Sequence, residues 1–154
     1  MHSPLFCKID NVIISFMKRL LFPFSRIALF TVFFWFGILK LFDASPANTL
    51  VSDLLEKTLP FITFGHFIIL LGVWEMLIGL AFLIPRMERV AIVLLIPHMI
   101  TTFIPLILLP QVTWQSFFVP TLEGQYIIKN LVIIALAMGL AAHLKPFEPK
   151  HKNC

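Results

Sequence analysis

Four long apolar stretches constrain this chain more than any other feature of its sequence. They cover residues 24–41, 62–84, 90–109 and 122–142. About 20 helical residues cross the hydrocarbon core of a bilayer, and a backbone in lipid must satisfy its own hydrogen bonds, which favours helices. The sequence therefore predicts an all-α integral membrane protein in which four transmembrane helices form a bundle.

The overall composition supports this prediction. Of the 154 residues, 59% are apolar and 13% are charged, whereas about 25% are charged in soluble globular proteins. A chain of this length has too little interior to hide so much apolar surface from water. Its net charge of +4 does not indicate nucleic acid, because the Lys and Arg residues flank apolar runs and form no separate basic patch.

The basic residues predict the orientation in the membrane. One face has only Lys57, whereas the other is flanked by Lys8, Lys18, Arg19, Arg26, Arg86, Arg89, Lys145, Lys150 and Lys152. Because cytoplasmic loops are enriched in Lys and Arg, we expect both termini in the cytoplasm. The chain then divides into a cytoplasmic or interfacial segment (1–23), a four-helix transmembrane domain (24–142) and a cytoplasmic tail (143–154).

The N-terminal segment has no small-residue cleavage pattern before Lys18 and Arg19, so we do not expect a cleaved signal peptide. Residues 11–22 are typical of a helix along the cytoplasmic interface, with Pro23 separating it from the first span. A longer, kinked first helix is the alternative.

An amphipathic helix is expected on the outer face between the first two spans. Ser45 and Pro46 are typical of a helix start, and Pro60 of its end. The apolar residues between them recur at helical spacing, so this helix could cover the mouth of the bundle. The next outer connection, residues 110–121, contains Trp114, Phe117 and Phe118, as expected at a membrane interface.

The second span contains the strongest functional indication. Gly65, Gly72 and Gly79 are seven residues apart and share a helical face with Glu75. Small residues there favour close helix packing. An ionisable residue near the bilayer centre is costly unless it is paired, protonated or facing water, so Glu75 is a candidate functional residue.

The third span places His98, Thr101, Thr102 and Pro105 on one face, which we expect to look into the bundle. Two interpretations of His98 stay open: an interhelical hydrogen bond, or proton transfer and ligand contact.

Counting residues from the middle of each span gives the depth of each polar side chain. This count predicts an intramembrane cluster for binding or proton relay, formed by Glu75, His98, Lys129 and Asn130. Lys40 and Glu123 are expected in an outer tier about 10 Å or more away. A lysine that snorkels towards the headgroups explains Lys40 equally well.

Several chemistries are not expected. Cys7 and Cys154 both fall in the predicted cytoplasmic tails, and no Cys-x-x-Cys motif is present, which argues against thiol oxidoreductases. The histidines give no pair for haem at matching depth, and ligands for a metal site are lacking. We therefore expect no metal and no intrinsic cofactor, and no nucleotide-binding motif is found.

Several motifs, in order, resemble those of the DoxX family of bacterial membrane proteins. They are Arg26 with the aromatic run ending Trp35-Phe36-Gly37-Ile38-Leu39-Lys40, then Ser45-Pro46-Ala47-Asn48, Gly72-Val73-Trp74-Glu75-Met76-Leu77-Ile78-Gly79-Leu80, and Pro120-Thr121-Leu122-Glu123-Gly124-Gln125-Tyr126-Ile127-Ile128-Lys129-Asn130. The resemblance spans residues 26–142. It implies a four-helix protein of the bacterial inner membrane, related to the DoxD subunit of thiosulfate:quinone oxidoreductase and more distantly to membrane proteins of reactive-chlorine resistance.

The resemblance also implies partners. The motif from Gly37 to Lys40, together with Glu75, matches recurrent polar positions of the family, whereas its fourth helix often has an acidic residue where this chain has Lys129 and Asn130. Many relatives work with soluble redox or thiol-stress proteins, so this chain is expected to be a subunit and not a complete enzyme.

Two functions of different class follow. In the first, the protein is a redox-associated membrane subunit whose polar cluster contacts a quinone. In the second, it is a scaffold or anchor in which the same residues fix helix register and the outer helix docks a partner; transport of a small solute is a third, weaker alternative. The lipid bilayer is a partner in each case, a second copy is compatible with each, and nucleic acid is not expected.

Overall fold

The computed structural model describes residues 4–144. Along this range the chain forms helices α1 (Pro4–Leu41), α2 (Asn48–Thr58), α3 (Phe64–Leu83), α4 (Glu88–Phe103), α5 (Pro105–Leu108) and α6 (Pro110–Thr113), the strands β1 (Trp114–Ser116) and β2 (Val119–Pro120), and helix α7 (Leu122–Ala141). The predicted all-helical architecture is therefore confirmed, apart from the small β1–β2 hairpin. The expected tail, residues 143–154, lies almost wholly outside the described range.

Within residues 4–144, four helical segments are long and apolar enough to cross a membrane: Lys8–Leu41, Phe64–Leu83, Glu88–Leu108 and Leu122–Ala141. The third segment contains both α4 and α5. Pro105 separates them because a proline ring has no N–H to continue the hydrogen-bond ladder, whereas α4 continues through Pro97. The four predicted spans agree with these segments to within a few residues, except at the start of the first.

The first helix is much longer than the predicted first span. It continues through Pro23 from Pro4 to Leu41, so the longer helix is the alternative that forms. Every side chain from residue 8 to residue 21 is exposed, and contact with the bundle begins at Phe22 and Ser25. The first part of α1 therefore extends beyond the helices that pack against its second part.

The helices pack in the order α1, α3, α4, α7. Their shared core is made of buried apolar side chains from all four: Leu29, Phe33, Ile78, Ala81, Phe82, Ala91, Leu95, Met99, Ala137 and Leu140. Many large apolar side chains point outwards instead, including Val93, Ile100 and Val132. This distribution suits a bundle whose outside faces lipid.

Glycines bring α1 and α3 into close contact. A Cβ atom at Gly37 would lie 2.6 Å from the Gly72 carbonyl oxygen, and one at Gly79 would lie 3.0 Å from the Phe34 nitrogen. The two helices therefore run antiparallel, with their backbones touching. The predicted packing role is confirmed for Gly72 and Gly79, whereas Gly65 faces open space.

The segments between α1 and α3 and between α4 and α7 lie at the same end of the bundle, which we call the loop end. Here Lys57 of α2 donates a hydrogen bond to the Leu108 carbonyl of α5. Helix α2 begins at Asn48, two residues later than predicted, because residues 46 and 47 form a turn in which the Ala47 N–H donates to the Ser45 hydroxyl.

The start of α7 is also fixed at the loop end. Thr121 caps this helix, because its hydroxyl oxygen accepts a hydrogen bond from the Gly124 N–H at 3.2 Å and donates to the Val112 carbonyl at 2.6 Å. The neighbouring β1–β2 hairpin turns at Phe117 and Phe118, with Phe118 at a φ of 56°.

The opposite end, where α3 connects to α4, is called the turn end. An ion pair between Arg26 of α1 and the buried Glu88 of α4 lies here. Glu88 is in the first turn of α4, where the helix dipole also favours a negative charge. The ion pair therefore connects α1 to α4 just after α1 enters the bundle.

Candidate functional site

Glu75 lies near the middle of α3 and is buried, with 7% of its surface exposed. It follows Gly72 by three residues and therefore shares the glycine face that packs against α1. Lys40, in the last turn of α1, lies on the other side of this contact and is 5% exposed. Its ammonium donates a 2.6 Å hydrogen bond to Glu75 Oε2.

A third helix contributes His98 of α4, which is 8% exposed. Its Nε2 atom lies 3.5 Å from Glu75 Oε1, the carboxylate oxygen that Lys40 does not use. The Glu75 carboxylate thus lies between side chains of α1 and α4. We call Lys40, Glu75 and His98 the buried triad.

The charges of the buried triad explain how it can exist inside the bundle. A single charge is very costly in a medium of low dielectric constant, but an ammonium paired with a carboxylate has no net charge. A hydrogen bond between two charged groups is also about twice as strong as one between neutral groups. The pair of Lys40 and Glu75 therefore tolerates burial that neither residue would tolerate alone.

The imidazole of His98 keeps one unused hydrogen-bonding atom. Its Nδ1 is buried and has no hydrogen-bond partner among the described residues. The Phe33 ring packs edge-on against the imidazole, with 5.6 Å between the ring centroids. Since buried polar atoms in proteins almost always have a partner, Nδ1 is the position at which a small polar group would bind.

The threonines beside His98 have a local role. The hydroxyls of Thr101 and Thr102 each donate a 2.8 Å hydrogen bond to the His98 carbonyl oxygen. Thr101 is exposed and Thr102 is half-buried. The predicted polar stripe therefore does not face the bundle as a whole, and of its polar side chains only His98 joins the buried triad.

The predicted partnership of Glu75 with Lys129 and Asn130 does not form. Lys129 is exposed on α7, with its ammonium 5.1 Å from the centroid of the Tyr126 ring. Buried Ile127, two residues earlier, marks the face of α7 that packs inwards. Two residues correspond to about 200° around a helix, which turns Lys129 away from the bundle; Asn130 is half-buried on the same helix.

Lys40 takes the place that was predicted for Lys129. The residue count assumed that the midpoints of all spans lie at the same depth, but Gly37, near the end of α1, lies opposite Gly72 and Met76 near the middle of α3. Along the bundle axis, α3 therefore extends about two turns beyond the end of α1 at the loop end, and the last turn of α1 lies beside the middle of α3. The predicted outer tier of Lys40 with Glu123 does not form, because Glu123 is exposed in the first turn of α7.

One sequence signal could have identified Lys40. Both helices contain a glycine three residues before an ionisable residue, in Gly37-x-x-Lys40 and Gly72-x-x-Glu75. Residues three apart share a helical face, so two helices that touch at these glycines bring a lysine and a glutamate into the same contact.

The described residues, 4–144, contain no group of three or more His, Cys, Asp or Glu side chains arranged to hold a metal ion. Comparison of the chain with protein-family models, with curated proteins and with solved structures finds no match.

Proposed function

We propose that this protein is a multi-pass subunit of the bacterial inner membrane that binds a quinone at the buried triad and exchanges protons with its headgroup. One observation supports this proposal above all: His98 has its Nε2 directed at Glu75 and its Nδ1 buried without a partner. An imidazole in that position connects a bound group on one side with a carboxylate on the other.

The two ring nitrogens of histidine can pass a proton through the ring. When Nδ1 accepts a proton, Nε2 can release its own, so a proton entering at Nδ1 leaves towards Glu75 Oε1. The 3.5 Å separation from Oε1 is longer than a good hydrogen bond, and such contacts often shorten only when the ligand is bound. Lys40 leaves Oε1 available because it donates to Oε2.

A quinone suits this site chemically. It dissolves in the bilayer, its two oxygens accept hydrogen bonds, and the hydroxyls of the quinol form can donate to Nδ1. Oxidation of a quinol releases two electrons and two protons. In the proposed subunit His98 accepts one proton at Nδ1 and passes one towards Glu75, which must release it before the second proton enters. A soluble redox or thiol-stress partner in its oxidised form takes the two electrons.

The proposed location and orientation rest on the charges and on the resemblance to DoxX proteins. Residues 4–144 include four segments that could cross a membrane, and an even number of crossings would leave the start of the first segment and the end of the last on the same side. The ion pair of Arg26 with Glu88 and the exposed Arg86 lie at the turn end. By the positive-inside rule that end is cytoplasmic, which places α2 and the β1–β2 hairpin on the outer side.

A scaffold is the second candidate function. Each oxygen of the Glu75 carboxylate already has a neighbour in Lys40 or His98. A neutral network of this kind would fix the register of α1, α3 and α4 without any ligand, as buried polar groups do in some helical assemblies. In that case α2 or the first part of α1 would hold a partner protein.

Thermal unfolding in detergent distinguishes the two functions. A ligand that binds only the folded state stabilises it by RT ln(1 + [L]/Kd), which is about 2.7 kcal/mol at a hundredfold excess over Kd. Analogues of ubiquinol or menaquinol, the reduced forms whose hydroxyls can donate to Nδ1, should therefore raise the Tm of the wild type with concentration, and of Lys129→Met equally. His98→Leu should keep its own transition but lose the response. A wild-type Tm that does not change would exclude quinone binding and favour the scaffold.

A further inference from the structure

Lys129 is a lysine of the last membrane-crossing segment and points away from the bundle. It lies seven residues into α7, or about 10 Å along the helix axis. Its side chain is exposed, and its ammonium lies over the Tyr126 ring at 5.1 Å from the centroid. In a membrane this part of α7 faces lipid or another molecule.

The charge of Lys129 has no counter-charge among the side chains that the structure describes. Among residues 8–144 no carboxylate forms an ion pair with its ammonium. Glu123 is exposed on the same helix but lies six residues away, about 120° around the helix axis, and so on another face. A lysine in a membrane span costs several kcal/mol unless its charge reaches the interface or a partner.

The side chain extends in the direction that relieves this cost. Cα–Cβ bonds in a helix tilt towards the helix N-terminus, and the ammonium of Lys129 indeed reaches back to Tyr126, about one turn closer to the start of α7. A lysine can bury its apolar stem in this way and bring its head to the headgroup level. Tyr126, 61% exposed, belongs to a residue type that is common at that level.

We propose that Lys129 and Tyr126 bind the headgroup phosphate of an anionic phospholipid in the leaflet around the start of α7. The ammonium supplies the positive charge, and the tyrosine hydroxyl and the amide of exposed Gln125 are hydrogen-bond donors on the same face. An anionic lipid is favoured over a zwitterionic one because the ammonium needs a net negative charge. A zwitterionic headgroup already neutralises its own phosphate.

Tyr126 is the only tyrosine of the chain, which makes the test direct. Protein labelled with 3-fluorotyrosine gives one ¹⁹F resonance, from the residue beside Lys129. In nanodiscs of phosphatidylcholine, replacing part of the lipid with phosphatidylglycerol should move this resonance until the change saturates. Lys129→Met should lose the movement, and Lys57→Met, an exposed lysine of α2, should keep it.

Three results would overturn the proposal. An equal movement in Lys129→Met would mean that the resonance senses only the surface charge of the bilayer. A movement in pure phosphatidylcholine on adding inorganic phosphate or glycerol phosphate would indicate a site for a free anion. A movement that depends on the number of protein molecules per nanodisc would show that a second copy of the chain covers this face.

Discussion

The Lys40 ammonium lies 2.6 Å from Glu75 Oε2, although the two residues are 35 positions apart in the sequence. One belongs to the last turn of α1 and the other to the middle of α3. Their contact exists because the last turn of α1 lies beside the middle of α3 and because glycines let the two backbones touch. It places a charged pair inside the bundle and leaves the second carboxylate oxygen for His98.

The first prediction concerns this pair. Removing one member of a buried ion pair leaves an uncompensated charge and costs about 3–5 kcal/mol, whereas removing both can be nearly neutral. Glu75→Gln and Lys40→Met should therefore each lower the Tm in detergent, and the double variant should recover much of the loss.

A double-mutant cycle of Lys129→Met with Glu75→Gln provides the control for this prediction. Lys129→Met removes a lysine that does not contact Glu75, so its effect should simply add to that of Glu75→Gln. Additive losses for Lys40→Met and Glu75→Gln would contradict the pairing.

The glycine contact between α1 and α3 gives the second prediction. A Cβ atom at Gly37 would lie 2.6 Å from the Gly72 carbonyl oxygen and 3.0 Å from the Met76 nitrogen. Both are backbone atoms, which cannot move away by a change of rotamer as a side chain can. Gly37→Ala should therefore separate the helices, lower the Tm and weaken the contact of Lys40 with Glu75.

Gly139→Ala is the control, because a Cβ atom there meets nothing within 4 Å. Alanine is the better helix former by about 1 kcal/mol, so this variant should be as stable as the wild type or more stable. A Gly37→Ala protein with an unchanged melting curve would mean that α1 and α3 do not touch at this point.

Much of the fold follows from the sequence, and the limits have physical causes. Apolar length and the lack of water in lipid are enough to predict four helices. The length of α1 could not be predicted, because Pro23 permits either a break or a continuous helix. The β1–β2 hairpin is short, and its turn at Phe117 and Phe118 has no glycine to indicate it.

The site was predicted only in part. The cost of an ionisable residue in a span indicates Glu75, and the polar face of the third span indicates His98. Both arguments use one helix at a time and do not depend on how the helices pack. The partner of Glu75 depends on the relative shift of α1 and α3, which residue counting does not give. Lys129 was assigned to the cluster by depth alone, whereas its direction around α7 decides what it contacts.

The third prediction concerns orientation, and the only two cysteines of the chain test it. If both ends are cytoplasmic, a membrane-impermeant maleimide should label neither Cys7 nor Cys154 in intact spheroplasts. Both should react after permeabilisation. Cys7→Ser and Cys154→Ser variants assign any signal to one end, and labelling before permeabilisation would contradict the proposed orientation.

The central claim is that His98 offers Nδ1 to a ligand while Nε2 faces Glu75, and ¹⁵N NMR of histidine-labelled protein tests it most directly. His98→Gln identifies the resonances of His98 among those of the five histidines. Without ligand, Nε2 should be protonated and Nδ1 should be bare. A quinol analogue should then shift the Nδ1 resonance strongly and leave those of exposed His66 and His143 unchanged. An Nδ1 resonance that stays fixed at saturating quinol would contradict the account.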